Sequence, residues 1–298
     1  MARPPLKLDR RTLLLLATQW AIILANGLLY FGDFGDGGAN RLPLPVHMFV
    51  SVLAIHLAFT IWHEAAHGTI SNRKLLNNAA GILGMLPYMT PFFMQRHVHL
   101  EHHKHLNEPG LDPNHIYAGG PYWKLPIRYL KAITYTRDML RHDPRTRAMR
   151  RSDAVFLVLV VGAYACAALT GHLLDVLMLW FVPAVIAKVI LDWYVNFLPH
   201  YRLPVDRFLG TRLLDVPWLT PLFLGHNYHA IHHLWPTIPW HGYIARYRER
   251  RDYLIENRVP IETRLFGGRL YPSSPVNAED VENVGSVEDV ENAERQTT

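Results

Sequence analysis

The chain has 298 residues, half of them apolar and only 18% charged, below the ~25% of ordinary soluble domains. One cysteine, Cys166, excludes a disulfide framework, a four-cysteine zinc site and a cysteine-ligated iron–sulfur cluster within the chain, while eighteen histidines make imidazole the natural metal ligand. The net charge of +5 hides a tail, residues 273–298, with seven acids and one Arg, so residues 1–272 carry +11. A basic body with an acidic tail suits an anionic membrane surface or an acidic protein and does not call for nucleic acid.

Taken in order, residues 13–31 have no charge and residues 43–62 are broken only by His47 and His56. Residues 154–171 and 173–191 flank a short Gly171-His172 turn. A helix of about 20 residues rises ~30 Å, the thickness of a bilayer's hydrocarbon core. The expectation is four transmembrane helices in two hairpins, against the alternative of core helices in a soluble bundle. The basic start followed by a leucine run resembles a secretory signal, but no small-residue cleavage site follows, so a retained first span is expected. A fifth apolar stretch, 79–94, is interrupted by Gly81, Gly84, Pro87 and Pro91 and reads as re-entrant or interfacial.

Arg3, Lys7, Arg10 and Arg11 precede the first span, and Arg41 alone lies in the loop after it. Segment 63–153 holds thirteen basic residues, the 171–175 turn none, and the region beyond 200 eleven. The positive-inside rule then places both termini and the central segment in the cytoplasm. At the far end EDVEN occurs at 279–283 and 288–292, and this acidic tail is expected to be disordered.

Three histidine clusters occur: His63 and His67; His99, His102 and His103; and His229, His232 and His233. Residues three and four apart share a helix face, so each cluster projects its imidazoles together. Neutral imidazole ligates iron, copper and zinc. One tetrahedral zinc needs three or four ligands, so eight imidazoles suit two ions. A further element, Asn196-Phe-Leu-Pro-His200, adds His200 as a ninth imidazole and Asn196 as a partner for metal-bound water, with Pro199 ending the helix there. Glu64, Glu101, Asp112 and Asp192 are candidates for holding the far nitrogens of the ligands. Asp192 equally suits an ion pair with Lys188, four residues earlier. His56, two turns before His63, reads as a buried polar contact or a lining of the substrate path, and His115, His142, His172 and His241 as structural or surface residues.

These motifs resemble the membrane-bound fatty-acid desaturase/hydroxylase superfamily, with its boxes H-x(3–4)-H, H-x-x-H-H and H-x-x-H-H and an N-x-x-x-H element. Within it the chain is most similar to the cyanobacterial-type β-carotene 3-hydroxylases. That likeness rests on HLEHHKHLNEPGLDPNH (99–115) with GGP at 119–121, on NFLPH (196–200), and on NYHAIHHLWPTIPWHGY (227–243). It runs over about residues 55–255, and LWPTIPW is its most specific part. Glu64 stands where that group has Asp, and His97 and His226 are extra histidines beside the boxes.

The resemblance implies an all-α integral membrane protein over residues 1–272, with a cytoplasmic helical cap carrying the site, in a bacterium at the inner membrane. It implies a non-haem di-iron centre held by His63, His67, His99, His102, His103, Asn196, His200, His229, His232 and His233. Molecular oxygen is the co-substrate, two electrons come from outside, and the β-ionone ring of β-carotene is hydroxylated towards zeaxanthin. The rival with the same chemistry is an acyl-lipid desaturase or hydroxylase. In either case the substrate is lipophilic, and the Met- and Phe-rich stretch 79–94 is a candidate entrance lining. No flavin-type glycine motif or cluster-binding cysteine set occurs. A separate donor is therefore expected: an acidic ferredoxin meeting Arg137, Arg141, Arg145, Arg147, Arg150 and Arg151, residues that suit anionic lipid equally well.

Two readings from other classes fit parts of the sequence. HEAAH fits the zinc-protease motif H-E-x-x-H, with Glu64 as general base, but leaves six histidines without a role. A metal transporter would place ionisable residues along the spans, where only Lys188, His47 and His56 lie.

Overall fold

The computed structural model describes residues 5–32, 42–118, 124–141 and 143–265. Arg3, Arg41, the GGP at 119–121, His142 and the acidic tail 273–298 lie outside the described residues. The protein is all-α apart from a two-residue parallel pairing of β1 (Leu213–Leu214) with β2 (Ile261–Glu262). Two compact units divide the chain, Met1–His97 with Pro144–Asp192, and Val98–Asp143 with Trp193–Thr298.

In the first unit α1 (Arg10–Phe31) starts at Asp9, whose carboxylate accepts from Arg11 N–H and the Thr12 hydroxyl. The helix begins before the apolar run because this cap lets Arg10 and Arg11 form its first turn. α2 (Leu44–His67) runs back beside it, and Asp9 N–H donates to Ile70 O at 2.7 Å, so the start of α1 lies next to the end of α2. Hydropathy ends the second span at Trp62, yet α2 continues through Glu64-Ala65-Ala66 to His67. The first histidine pair therefore rides on the span's own last turns rather than after it. Gly68 stops the helix in the left-handed conformation, φ 73°, with its N–H returned to Ala65 O and Glu64 O.

The hairpin is fastened by polar groups inside an apolar layer. Asn26 Nδ2 donates to His47 O and Ser51 Oγ, both at 3.0 Å, and Asn26 Oδ1 meets His47 Nδ1 at 2.7 Å. Such bonds are favoured where lipid offers no other partner. The 79–94 stretch is α3 (Lys74–Met85), a 3-10 turn over Leu86–Tyr88, and the start of α4 (Phe92–Lys104). Its glycines permit close packing: a Cβ on Gly84 would lie 2.6 Å from Ile61 Cγ2, and one on Gly81 would run into the Phe92 ring.

α7 (Thr146–Leu169) leaves Val155, Leu157, Val158, Leu159 and Leu169 exposed, the mark of a lipid-facing helix. The next span, Leu173–Phe197, comprises α8 (Leu173–Val176), a π-helical turn over Leu177–Phe181, α9 (Val182–Leu191) and a second π-helical turn over Asp192–Phe197. Pro183 lacks an N–H and crowds the preceding turn, which accounts for the first widening. Among the described residues these are four helices long and apolar enough to cross a membrane, at the four places hydropathy selects. The fold is that of an integral membrane protein.

The second unit takes up the end of α4, then α5 (His115–Ala118), α6 (Leu125–Leu140), α10 (Thr220–Phe223), α11 (His229–Leu234) and α12 (Tyr243–Glu256). Its core gathers Leu213, Ile231, Tyr243, Leu254 and Ile261, all at most 1% exposed. The β1–β2 pairing is closed by a buried Arg212–Glu262 ion pair at 2.9 Å. The short α11 is thereby wedged between the pairing and α12.

Candidate metal centre

In the first unit His63 and His67 stand one turn apart on α2, ring centroids 4.9 Å apart. Glu64, 1% exposed, places Oε1 3.3 Å from His63 Nδ1, and its Oε2 accepts from the Thr69 hydroxyl at 2.5 Å. With its proton on Nδ1, His63 donates to the carboxylate and Nε2 is the nitrogen that would ligate, which is the place of an orienting group.

The second unit brings together His102 from α4, His200 from the turn after the last span, and His229 and His233 from α11. One ring nitrogen of each lies within 4.8 Å of the other three. His229 Nε2 is 3.1 Å from His200 Nε2 and 3.0 Å from His233 Nε2. Adjacent ligands at metal–nitrogen distances of ~2.1 Å are separated by about this much. Burial, reinforced by repulsion from neighbouring imidazoles, pushes His200, His229 and His233 well below the usual histidine range. Neutral rings with inward lone pairs are the form a cation requires. The donor set, all nitrogen, with His102, His200 and His229 buried and His233 half-buried, fits a borderline transition-metal ion such as ferrous iron.

His103 and His232 form a second pole of the same unit, Nε2 to Nε2 at 2.7 Å. His99 stacks on His232 at 5.7 Å and meets His103 edge-on at 4.6 Å. Asn196, on the second π turn, accepts from Asn114 Nδ2 at 3.2 Å.

Of the carboxylates proposed to hold ligands, Asp112 does so most directly, with both oxygens 2.8–2.9 Å from His102 Nδ1. Asp112 is fixed in turn by N–H groups of Asn107 (2.8 Å) and Asn114 (2.7 Å). Asp192 pairs with Lys188 at 2.8 Å, and Glu101 lies 3.8 Å from Lys104 and 3.9 Å from His105. His172 pairs with Asp175 at 3.0 Å, and burial lowers the pKa of His115. His226 is fully buried beside Tyr243.

Several residues that shape the site carry no role legible in the sequence, although Asn107 and Tyr243 lie inside the quoted motifs. Asn107, at φ 60°, donates its amide to Leu203 O, Pro204 O and Gly210 O, clamping the second-box loop to the segment after His200. Tyr243 places its hydroxyl 3.1 Å from His232 Nδ1. Asp215 accepts from Tyr228 (3.2 Å) and Tyr247 (2.7 Å), anchoring the residue just before His229. Burial, then Asp215, pushes the Tyr228 phenol up to about 12.

Helices long enough to cross a membrane, together with histidine clusters able to hold a metal ion, define a class: integral membrane proteins with candidate polyhistidine metal sites. The fatty acid desaturase family model matches residues 40–264, and the chain belongs to that family. It is 26% identical over 256 residues to the chloroplastic omega-6 fatty acid desaturase of Spinacia oleracea, covering 74% of this chain and 56% of that protein. It is 22% identical over 302 residues to the sn-1 oleoyl-lipid 12-desaturase of Arthrospira platensis, covering 85% of this chain and 78% of that protein. Against the β-carotene ketolase of Paracoccus sp. it is 27% identical over 190 residues, 61% of this chain and 70% of that one. The chain thus spans little more than half of the spinach protein's length.

Proposed function

We propose that the protein hydroxylates the β-ionone ring of β-carotene towards zeaxanthin, using oxygen and two electrons from a ferredoxin-type donor. The observation that carries this reading is the sequence around the third box, NYHAIHHLWPTIPWHGY (227–243), with NFLPH (196–200), which resembles the cyanobacterial-type carotene hydroxylases. A relative named as a β-carotene ketolase is consistent with a carotenoid substrate. The closely related second reading, oxidation of an acyl lipid, is favoured by the longer coverage of the 12-desaturase match.

Two ferrous ions bound by the three boxes would supply oxygen activation. His102, His200, His229 and His233 would hold one ion. In the second unit His99, His103 and His232 would serve the other, with Asn196 available to a bound water, and in the first unit His63 and His67 on α2 are further candidate ligands. Glu64 and Asp112 keep the protons of His63 and His102 on the outer nitrogens, so the inner lone pairs stay directed. The buried second-unit ligands keep bulk water from the site. In the first unit Leu86 and Pro87 line a largely apolar cleft of about 250 Å³ with Trp20, Ile23, Ile55 and Trp180, a surface suited to a lipophilic chain. Both termini and the metal centre are read as cytoplasmic, with residues 1–272 as the catalytic body and 273–298 as a solvated tail. The six arginines between 137 and 151 are exposed, as a donor-docking surface requires.

Expression in a β-carotene-accumulating bacterium with a ferredoxin system, followed by pigment chromatography, tests this. Hydroxylated carotenoid is the expected product. Unchanged carotene beside new double bonds in the cell's lipids would favour the acyl-lipid reading.

A further inference from the structure

We infer that residues 217–222 of the second unit form a membrane-contact surface, seated in the headgroup region of the bilayer that the four spans cross. The inference rests on the fold alone and is independent of metal and substrate.

Residues 216–224, Val-Pro-Trp-Leu-Thr-Pro-Leu-Phe-Leu, hold no charge and a single hydroxyl. They form a 3-10 turn over Pro217–Leu219 followed by α10, and the two short helices sort their side chains by face. Val216, Leu219 and Phe223 turn inward, each at most 5% exposed. Trp218 at 67% and Leu222 at 55% exposure face outward, four residues apart, with Pro217 and Pro221 exposed beside them. The exposed face of α12 in the same unit is charged instead, with Arg248, Glu249, Arg250 and Arg251. A lone exposed apolar residue is ordinary, but an uncharged run that turns Trp and Leu outward together marks a contact surface.

The inward face identifies what covers the outward one. Phe223 stacks on Tyr194, with ring centroids 4.1 Å apart and planes 6° from parallel. Tyr194 lies on the π-helical turn Asp192–Phe197, which ends the span Leu173–Phe197. At 25 residues that span exceeds the ~20 that cross a hydrocarbon core, so its last turn lies at headgroup level. α10 is therefore fixed against the end of a transmembrane helix, where hydrocarbon gives way to headgroups. Trp suits that depth because its ring is apolar and its N–H reaches a wet neighbour.

The same segment is joined to the third histidine box. Gly225 N–H donates to Thr220 O at 3.0 Å, and Asn227 Nδ2 donates to Leu214 O at 3.0 Å and to Thr220 Oγ1 at 3.3 Å. His229 follows two residues later. Contact between 217–222 and lipid thus sets the height of the third box against the bilayer.

The test uses the full chain in vesicles of phosphatidylcholine and phosphatidylglycerol. In a Cys166→Ser background the lone native thiol is removed, and Leu222→Cys or, as a water-facing control on α12, Glu249→Cys carries an environment-sensitive fluorophore. An interfacial segment sits about 5–10 Å into the headgroup and acyl boundary. The label at 222 should therefore emit at shorter wavelength than the label at 249 and resist aqueous iodide. It should be quenched by nitroxide lipids, more by a nitroxide near the headgroup than by one near the methyl end. Equal iodide quenching at 222 and 249 would overturn the proposal. So would protection from iodide without quenching by either lipid, the result expected if a second copy or a protein partner covers the face. A second measurement needs no variant: the wild-type chain is irradiated in the same vesicles with a diazirine-bearing phosphatidylcholine and digested with trypsin. Lipid adducts within 217–222 of the peptide Leu213–Arg246 are expected, and their absence while the spans are labelled would overturn the proposal.

Discussion

The two units invert each other's solvent logic. In the first, large apolar side chains face outward, Val158 at 70% and Leu169 at 89% exposure, while Gln19, Asn26, His47 and Ser51 are tucked between helices. In the second, Leu213, Ile231, Leu254 and Ile261 fill the interior, and the outer face of α12 carries Arg248, Glu249, Arg250, Arg251 and Asp252. One unit is built for lipid and the other for water. The histidines follow the same division. The first box is a simple helix end, whereas His200, His229 and His233 sit on turns and a short helix that only their surroundings hold in place.

The largest test of that contrast is removal of a second-unit ligand. His102→Ala and His229→Ala should each lower bound iron and bring turnover to background, as elemental analysis and product chromatography would record. Membrane insertion and the helix content of the first unit should survive. If insertion failed as well, the division into two differently supported regions would be wrong.

Acid comes next. His200, His229 and His233 are held neutral in the folded chain, while in the unfolded chain they titrate near the ordinary 6.5. Below that pH the unfolded state binds more protons, so metal-free stability should fall as pH drops through 6.5 and be fully present above it. Thermal unfolding of the apoprotein against pH, followed by tertiary circular dichroism, checks this. An apoprotein equally stable at pH 5 and 7.5 would contradict it.

Two amides sharpen the comparison further. Asn107 satisfies three backbone carbonyls in the second unit, so Asn107→Ala should cost about 2–3 kcal/mol by denaturant titration. Asn26 makes comparable bonds between membrane helices, where the alternative state also finds partners, so Asn26→Ala should cost only ~1 kcal/mol. Equal losses would mean that the two units do not differ in their surroundings.

What the sequence revealed follows the same line. The spans and boxes were legible because both are periodic: uncharged runs of bilayer length, and histidines three and four apart. Helix ends were less so, since α7 starts at Thr146, eight residues before the uncharged run begins at 154, and α2 continues five beyond its own. Asp112 could be named as a candidate because it lies near the second box, but its preference over Glu101 and Asp192 depends on the turn through Asn107 and Asn114. Tyr243 lies inside the 227–243 motif, but nothing there says what it touches, and Asp215 lies outside every motif. Each acts on a histidine segment through tertiary packing, and no spacing along the chain encodes that.

If these imidazoles hold two oxygen-reactive ions, the purified chain contains two irons, lost when His102 or His229 is replaced, as elemental analysis would record. A preparation active on lipid but free of iron, or one holding a single zinc, would contradict it.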